Sequence, residues 1–304
     1  MSKAAMDMVS LKASADETRV WKANSGELAW PTIALSLVAF AVHMGALVAH
    51  AFGQLSSASL ALVSALAAYV AFTPMHEAAH GNVAGRSGRP WLDTLIGMLS
   101  GVQLLAPYGA FKALHLRHHS QTNHHERDPD MWVAARGHTP FGRALSVFFR
   151  CATILPHYYF NFLAGDVSRT RGGQEARRGV LITFAVFAAM IITAVVAGFG
   201  STVLYGWIVP AFIATAVLAF LFDWLPHAPH DVRGRYRDTR AIDAPLGIPF
   251  LGQHLHLVHH LYPRVPFYRY RRVFDALRAT LKAKGAPIVK LGERPPASVP
   301  SPAE

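Results

Sequence analysis

The chain has 304 residues, 52% of them hydrophobic and only 15% charged, with a formal net charge of +11. Soluble domains carry about 25% charged residues, and here the apolar residues come in blocks rather than stripes, so an ordinary soluble globule is excluded in favour of a membrane protein. The single cysteine, Cys151, excludes an internal disulfide, a cysteine-based zinc site and a self-contained iron–sulfur cluster.

Residues 1–29 are polar and of mixed charge, without the apolar core or cleavage site of a signal peptide. Four apolar blocks follow, at residues 31–52, 56–75, 179–200 and 202–226. Each is close to the length of about 20 residues that a helix needs to span a bilayer, and together they read as two helical hairpins. A fifth apolar stretch, residues 91–108, is shorter and contains Asp93 and two glycines. Residues 141–163 are apolar but broken by Arg143, Arg150, Pro156 and His157, the pattern of an interfacial segment. Residues 267–285 form a basic amphipathic helix with three candidate roles: lying on the membrane, covering a site, or docking a partner. Residues 285–304 are rich in proline and alanine and are expected to be disordered. The expected division is therefore a polar segment 1–29, a membrane domain 30–284 and a tail 285–304.

The Lys and Arg residues fall into three regions, before Trp30, between Gly81 and Arg178, and after Pro226. The hairpin turns carry none. The positive-inside rule then places the N-terminus, the middle loop and the C-terminal region on the cytoplasmic side of a multi-pass inner-membrane protein. If residues 91–108 crossed the membrane, the basic middle loop would be split between faces, so this stretch is expected to be re-entrant or to lie on the surface. The positive charge is explained by loops beside anionic lipid, and no nucleic-acid recognition motif accompanies it.

Between these blocks stand three histidine clusters: His76-Glu77-Ala78-Ala79-His80, His115-Leu116-Arg117-His118-His119 and His256-Leu257-Val258-His259-His260. In each, the outer histidines are four residues apart, one helical turn on one face. A metalloprotease is one reading of the first, since His-Glu-x-x-His binds zinc with Glu as base. One zinc takes three protein ligands, which would leave most of these histidines without a role. Eight imidazoles suit two metals instead, and nitrogen-rich ligation with open positions suits ferrous iron that binds oxygen. A transporter would place its histidines near the bilayer midplane, whereas these sit beyond span ends. In the stretch Asp223-Trp224-Leu225-Pro226-His227-Ala228-Pro229-His230, His227 and His230 emerge at the same level and are candidate further ligands. Glu77, Asp128, Asp130 and Asp223 are candidates to orient ligating imidazoles. His43, His50, His138 and His157 read as hydrogen-bonded core or surface residues, and His254, His124 and His125 as lying off the metal.

The order HxxxH, HxxHH, HxxHH, with two spans between the second and third boxes, resembles the membrane fatty-acid desaturase and hydroxylase superfamily, over about residues 73–270. Thr73-Pro74-Met75-His76, Asp128-Pro129-Asp130, the Asp223–His227 run, residues 235–240 and residues 252–263 look closest to desaturase-like carotenoid β-ring hydroxylases. Glu77 stands where Asp is usual. The resemblance implies an all-α integral membrane protein, four transmembrane helices in two hairpins under a cytoplasmic histidine-rich di-iron cap. It implies that His76, His80, His115, His118, His119, His256, His259 and His260 hold two non-haem irons, helped by His227 or His230. It also implies that O2 and two electrons oxidise a C–H bond of a lipid-soluble substrate, with ferredoxin the expected external donor. The function expected is β-carotene ring 3-hydroxylation. The alternatives are fatty-acyl desaturation or alkyl hydroxylation and, from different classes, the zinc protease or a metal-binding or transport protein.

Overall fold

A computed structural model describes residues 13–166, 169 and 171–290. After a short N-terminal helix, α1 (Ala15–Ala23), come α2 (Trp30–Ala51), α3 (Ser57–Ala79), α4 (Trp91–Gln103), α5 (Tyr108–Gln121), α6 (Pro140–Ala152) and α7 (Ile154–Ala164). They are followed by α8 (Gly173–Val196), α9 (Gly200–His227), α10 (His256–Leu261) and α11 (Tyr270–Ala283). A two-stranded parallel ladder pairs β1 (Ala241–Ile242) with β2 (Ile288–Val289).

The four expected spans are α2, α3, α8 and α9, the helices long and apolar enough to cross a bilayer. The protein is an all-α integral membrane protein. Its apolar side chains are distributed as lipid requires. Leu37, Val38, Leu62, Leu66, Ile182 and Ile192 are exposed on the spans, and two histidines among them find partners. His43 Nε2 donates to the Gly206 carbonyl at 2.7 Å, and the His50 ring meets Thr202 at 2.8 Å and Ser57 at 3.1 Å. Both are hydrogen-bonded packing residues, as the sequence suggested. Helix α3 is the hub, with 44% of its most apolar window buried against 11% for α8, which lies at the periphery. Sequence patterning ended this span at Met75. The helix runs on to Ala79, carrying the first box in its last turn.

Helices α4 and α5 meet at a 103° bend. The backbone reverses through Leu105, at φ +52°, and the Ala106 N–H donates to the Gly101 carbonyl at 2.8 Å. The two glycines of the stretch make this possible. A Cβ on Gly101 would stand 2.5 Å from the Ala106 carbonyl oxygen, and one on Gly97 would stand 2.3 Å from the Tyr108 ring. Gly97→Ala is expected to lower stability by about 1–3 kcal/mol through overpacking, read as a fall in thermal midpoint in detergent. A smaller fall in a Tyr108→Ala background would identify the ring as the cause.

Helix α9 contains two π-helical turns, Leu204–Ile208 and Ala219–Trp224. Such turns shift the helical register, and the second immediately precedes His227. Above the spans, α10 and α11 close a cap. Tyr270, Val273, Phe274, Leu277 and Leu281 recur at helical spacing and are all buried with Leu257, Val258 and Leu261. The amphipathic helix therefore covers the third box. Helix α1 docks on the same core. Glu17, fully buried, accepts from Tyr236 at 2.8 Å, Tyr262 at 2.6 Å and its own capping-box Ser14 N–H at 2.7 Å. Residues 285–290 lie within the ordered cap, because Ile288 and Val289 pair with Ala241 and Ile242. The rest of the expected tail, 291–304, lies outside the described residues.

Candidate metal centre

The first box sits at the C-terminal end of α3, the second in the C-terminal half of α5, and the third is α10 itself. Gly252, at φ +80°, turns the chain into the third box. A Cβ there would stand 2.8 Å from the Phe267 carbonyl. His227 ends α9.

These elements converge on two adjacent groups: His76, His80, His115, His119 and His259 in one, and His118, His227, His256 and His260 in the other. Within each group the candidate ligand atoms all lie within 4.8 Å of one another. In the first, Nε2–Nε2 separations are 2.8 Å for His80–His115, 3.1 Å for His115–His119, 2.8 Å for His119–His259 and 3.0 Å for His76–His259. In the second they are 3.3 Å for His118–His260 and 3.2 Å for His256–His260. His227 Nε2 has no hydrogen-bond partner, and its ring lies 4.8 Å from those of His118 and His260.

Helical spacing decides the allocation. Histidines four apart fall in the same group: His76 with His80, His115 with His119, His256 with His260. The remaining box histidines, His118 and His259, are three residues after the first histidine of their boxes and cross to the other group, and His227 from α9 completes the second. Each HxxHH box thus serves both groups.

Three of the nitrogens distal to the groups, those of His118, His227 and His259, are fixed by partners, whereas those of His76 and His256 are buried without one. His118 Nδ1 donates to Asp128 Oδ1 at 2.8 Å and lies 3.2 Å from Asp130 Oδ2. Asp128 is itself held by the Asn123 and Asp130 N–H groups at 2.7 and 2.9 Å, and Tyr158 donates its hydroxyl to Asp130. His227 Nδ1 donates to the Asp238 carbonyl at 3.2 Å. His259 Nδ1 donates to the Tyr270 hydroxyl at 2.9 Å, and that hydroxyl reaches Glu77 Oε1 at 3.5 Å. Each contact leaves the Nε2 lone pair pointing inward. Of the expected orienting carboxylates, Asp128 and Asp130 touch an imidazole directly, Glu77 acts through Tyr270, and Asp223 lines the cavity described below. His230 lies in neither group, its ring 6.2 Å from that of His227. His254 likewise lies outside both groups. The His124 ring nitrogen accepts from the Glu126 N–H at 3.2 Å in an exposed loop, and His157 stacks on Trp132.

Sequence reading missed Tyr270, whose side chain is distant in sequence from Glu77. It also missed Asn123, whose amide donates to the Val232 and Asp238 carbonyls at 2.7 and 2.8 Å and ties the second-box loop to the segment after α9.

The electrostatics suit a cation. Burial, and then the charge of neighbouring rings, holds His80, His115, His119, His256, His259 and His260 well below the usual imidazole range. They are therefore neutral, the ligating form. Burial lowers His118 too, but Asp128 and Asp130 outweigh it and raise this group to about 10. The acid pair there favours positive charge, which a metal ion supplies as well as a proton does. The spacing fits also. Two nitrogens each about 2.1 Å from a metal and about 90° apart stand about 3.0 Å from each other. Lone pairs this close repel unless a cation lies between them, so the residues present fit two metal ions. The first group offers five imidazoles rather than the three of a zinc protease.

An apolar cavity abuts both groups, lined by Phe72, Met75, Leu104, Phe111, Leu155, Leu218 and Phe222, with His76, His115, His118 and His256 at one end. Tyr158 and Tyr159 line it, whereas Phe160 is exposed. The first and second boxes meet at this centre, so the segment between them leaves and returns to the same site. That is the path of a re-entrant segment, not of a fifth crossing.

A fatty acid conjugase of Calendula officinalis is 25% identical over 255 residues, 71% of this chain and 67% of its own length. A Delta(9) fatty acid conjugase-like enzyme of Dimorphotheca sinuata is likewise 25% identical, over the same shares of both chains. An sn-1 oleoyl-lipid 12-desaturase of Synechocystis sp. is 27% identical over 233 residues, 68% of this chain and 64% of its own length. The family model for fatty acid desaturases matches residues 55–292, which contain all three boxes, His227 and the helix that covers them. The chain is an oxidoreductase belonging to the fatty acid desaturase family.

Proposed function

We propose that the protein is a di-iron oxygenase that oxidises a C–H bond of a fatty acyl chain in the membrane. The observation that carries this reading is the convergence of nine imidazoles into two groups at the end of an apolar cavity. Bound there, two irons would supply the activation of O2, for which the groups offer neutral nitrogen ligands. The protein's own part is to hold His118, His227 and His259 in one tautomer through Asp128, the Asp238 carbonyl and Tyr270. Its apolar wall aligns a hydrocarbon and excludes water. The names of the relatives favour an acyl chain as substrate.

A second reading is β-carotene ring 3-hydroxylation. It is favoured by the Asp223–His227 run, which resembles ring hydroxylases and contributes His227 to the second group. Expression in cells that accumulate β-carotene separates the two. New acyl double bonds or hydroxyls with unchanged pigment support the acyl reading, hydroxylated rings the second, and neither change defeats both.

Electrons come from an external donor, and the exposed Arg233, Arg237 and Arg272 on the cap suit an acidic ferredoxin. The cap faces the cytoplasm across an inner membrane, since the α2–α3 turn carries no cation. Gln54→Cys, at that exposed turn in a Cys151→Ser background, is expected to react with impermeant thiol reagent from outside intact cells. Labelling only after lysis would reverse the orientation.

A further inference from the structure

Helices α6 and α9 flank a groove lined by Val147, Phe148, Val217, Phe220, Leu221 and one charged residue, Arg143. The flank around it is lipid-facing: Phe141, Leu145, Phe148 and Phe149 of α6 are all exposed. Arg143 is exposed and, among the described residues, forms no ion pair, and α6 carries no carboxylate. Arg136, also exposed, adds positive charge nearby and depresses the neighbouring Arg150, after burial.

An apolar groove whose wall carries a single guanidinium free of ion pairs has the chemical make-up of an amphiphile's complement. We infer that it seats one anionic phospholipid of the bilayer, the phosphate on Arg143 and one acyl chain along Val147, Val217 and Phe220. A phosphate suits this position because guanidinium binds it through parallel N–H donors. The acyl chain suits it because the remaining side chains of the wall are apolar apart from Trp224 and the Cys151 thiol. Groove and catalytic cavity use different residues of α9: Leu218, Ala219 and Phe222 line the cavity, while Val217, Phe220 and Leu221 line the groove. The inference does not depend on which C–H bond the enzyme oxidises.

The test is native mass spectrometry of the purified full chain titrated with dioleoylphosphatidylglycerol, and with dioleoylphosphatidylcholine for comparison. Wild type is expected to retain one phosphatidylglycerol with preference over phosphatidylcholine. Arg143→Glu is expected to weaken that binding about tenfold or more, the loss of a charge-assisted contact, and Arg143→Lys to recover most of it. Val217→Trp, which fills the groove and leaves Arg143 in place, is expected to weaken it as well. Metal content and thermal midpoint should stay at wild-type values in all three variants, since Arg143 and Val217 are exposed. Unchanged phosphatidylglycerol binding in Arg143→Glu, or in Val217→Trp, would overturn the site whatever the enzyme's activity.

Discussion

A His119→Ala protein is expected to insert into membranes at wild-type yield, lose bound iron from the first group and show no lipid oxidation. His119 is the natural choice because it is only partly buried. Its truncation opens no core cavity, so the effect reports ligation rather than packing. The site loses one of five imidazoles whose nitrogens stand 2.8 Å from His259 and 3.1 Å from His115. The comparison is His50→Ala. That imidazole binds Thr202 and Ser57 far along the chain from the boxes, so its loss should leave iron content and activity intact. Metal analysis of both variants beside wild type, expected at two irons per chain because two groups are present, decides the matter. Unchanged iron in His119→Ala would remove it from the ligand set.

Asp128→Ala is expected to act from one step further out. Asp128 touches no metal position, yet it accepts from His118 Nδ1 and from two backbone N–H groups. Loss of a carboxylate that orients a ligating imidazole typically costs about 10- to 100-fold in metal affinity. Each buried N–H left without an acceptor adds about 1–3 kcal/mol of destabilisation. Asp128→Ala should therefore release iron to a chelator sooner and melt at lower temperature. Asp128→Asn, which keeps an acceptor oxygen but not the charge, should recover most of the melting temperature and less of the metal retention. Equal chelator sensitivity in all three proteins would show that His118 needs no carboxylate.

The spans and the three boxes were legible because their signals are local. An apolar run of about 20 residues and an i, i+4 pair are properties of one helix. The same spacing placed the outer histidines of each box on one helix face, but which histidines share a group, and that His118 and His259 cross over, shows only where α5 and α10 meet. What stayed hidden rests on contacts between distant residues. Tyr270 belongs to an amphipathic helix that sequence left with three roles, and its packing on His259 chose one of them. Glu17 read as part of a polar N-terminal segment, yet Tyr236 and Tyr262 bury it, and Tyr262 is 245 positions away. Residues 285–290 read as tail because a two-residue strand has no periodicity to detect. The π turns of α9 leave no mark in hydropathy either, although they set where His227 emerges.

The crossing of the second and third boxes also orders the birth of the enzyme. Four of the five imidazoles of the first group have been synthesised once α5 is complete, but the group lacks His259 until α10 follows. The second group, with His118 and His227 already made at the end of α9, still awaits His256 and His260. Translation and bilayer insertion of both hairpins therefore precede a complete metal site, and because the sites are assembled by folding, metal binding is coupled to it. Metal bound by the full ligand sets would thus be a late, post-insertional step of maturation, and a nascent chain halted after its last span would be an inserted protein with two incomplete groups.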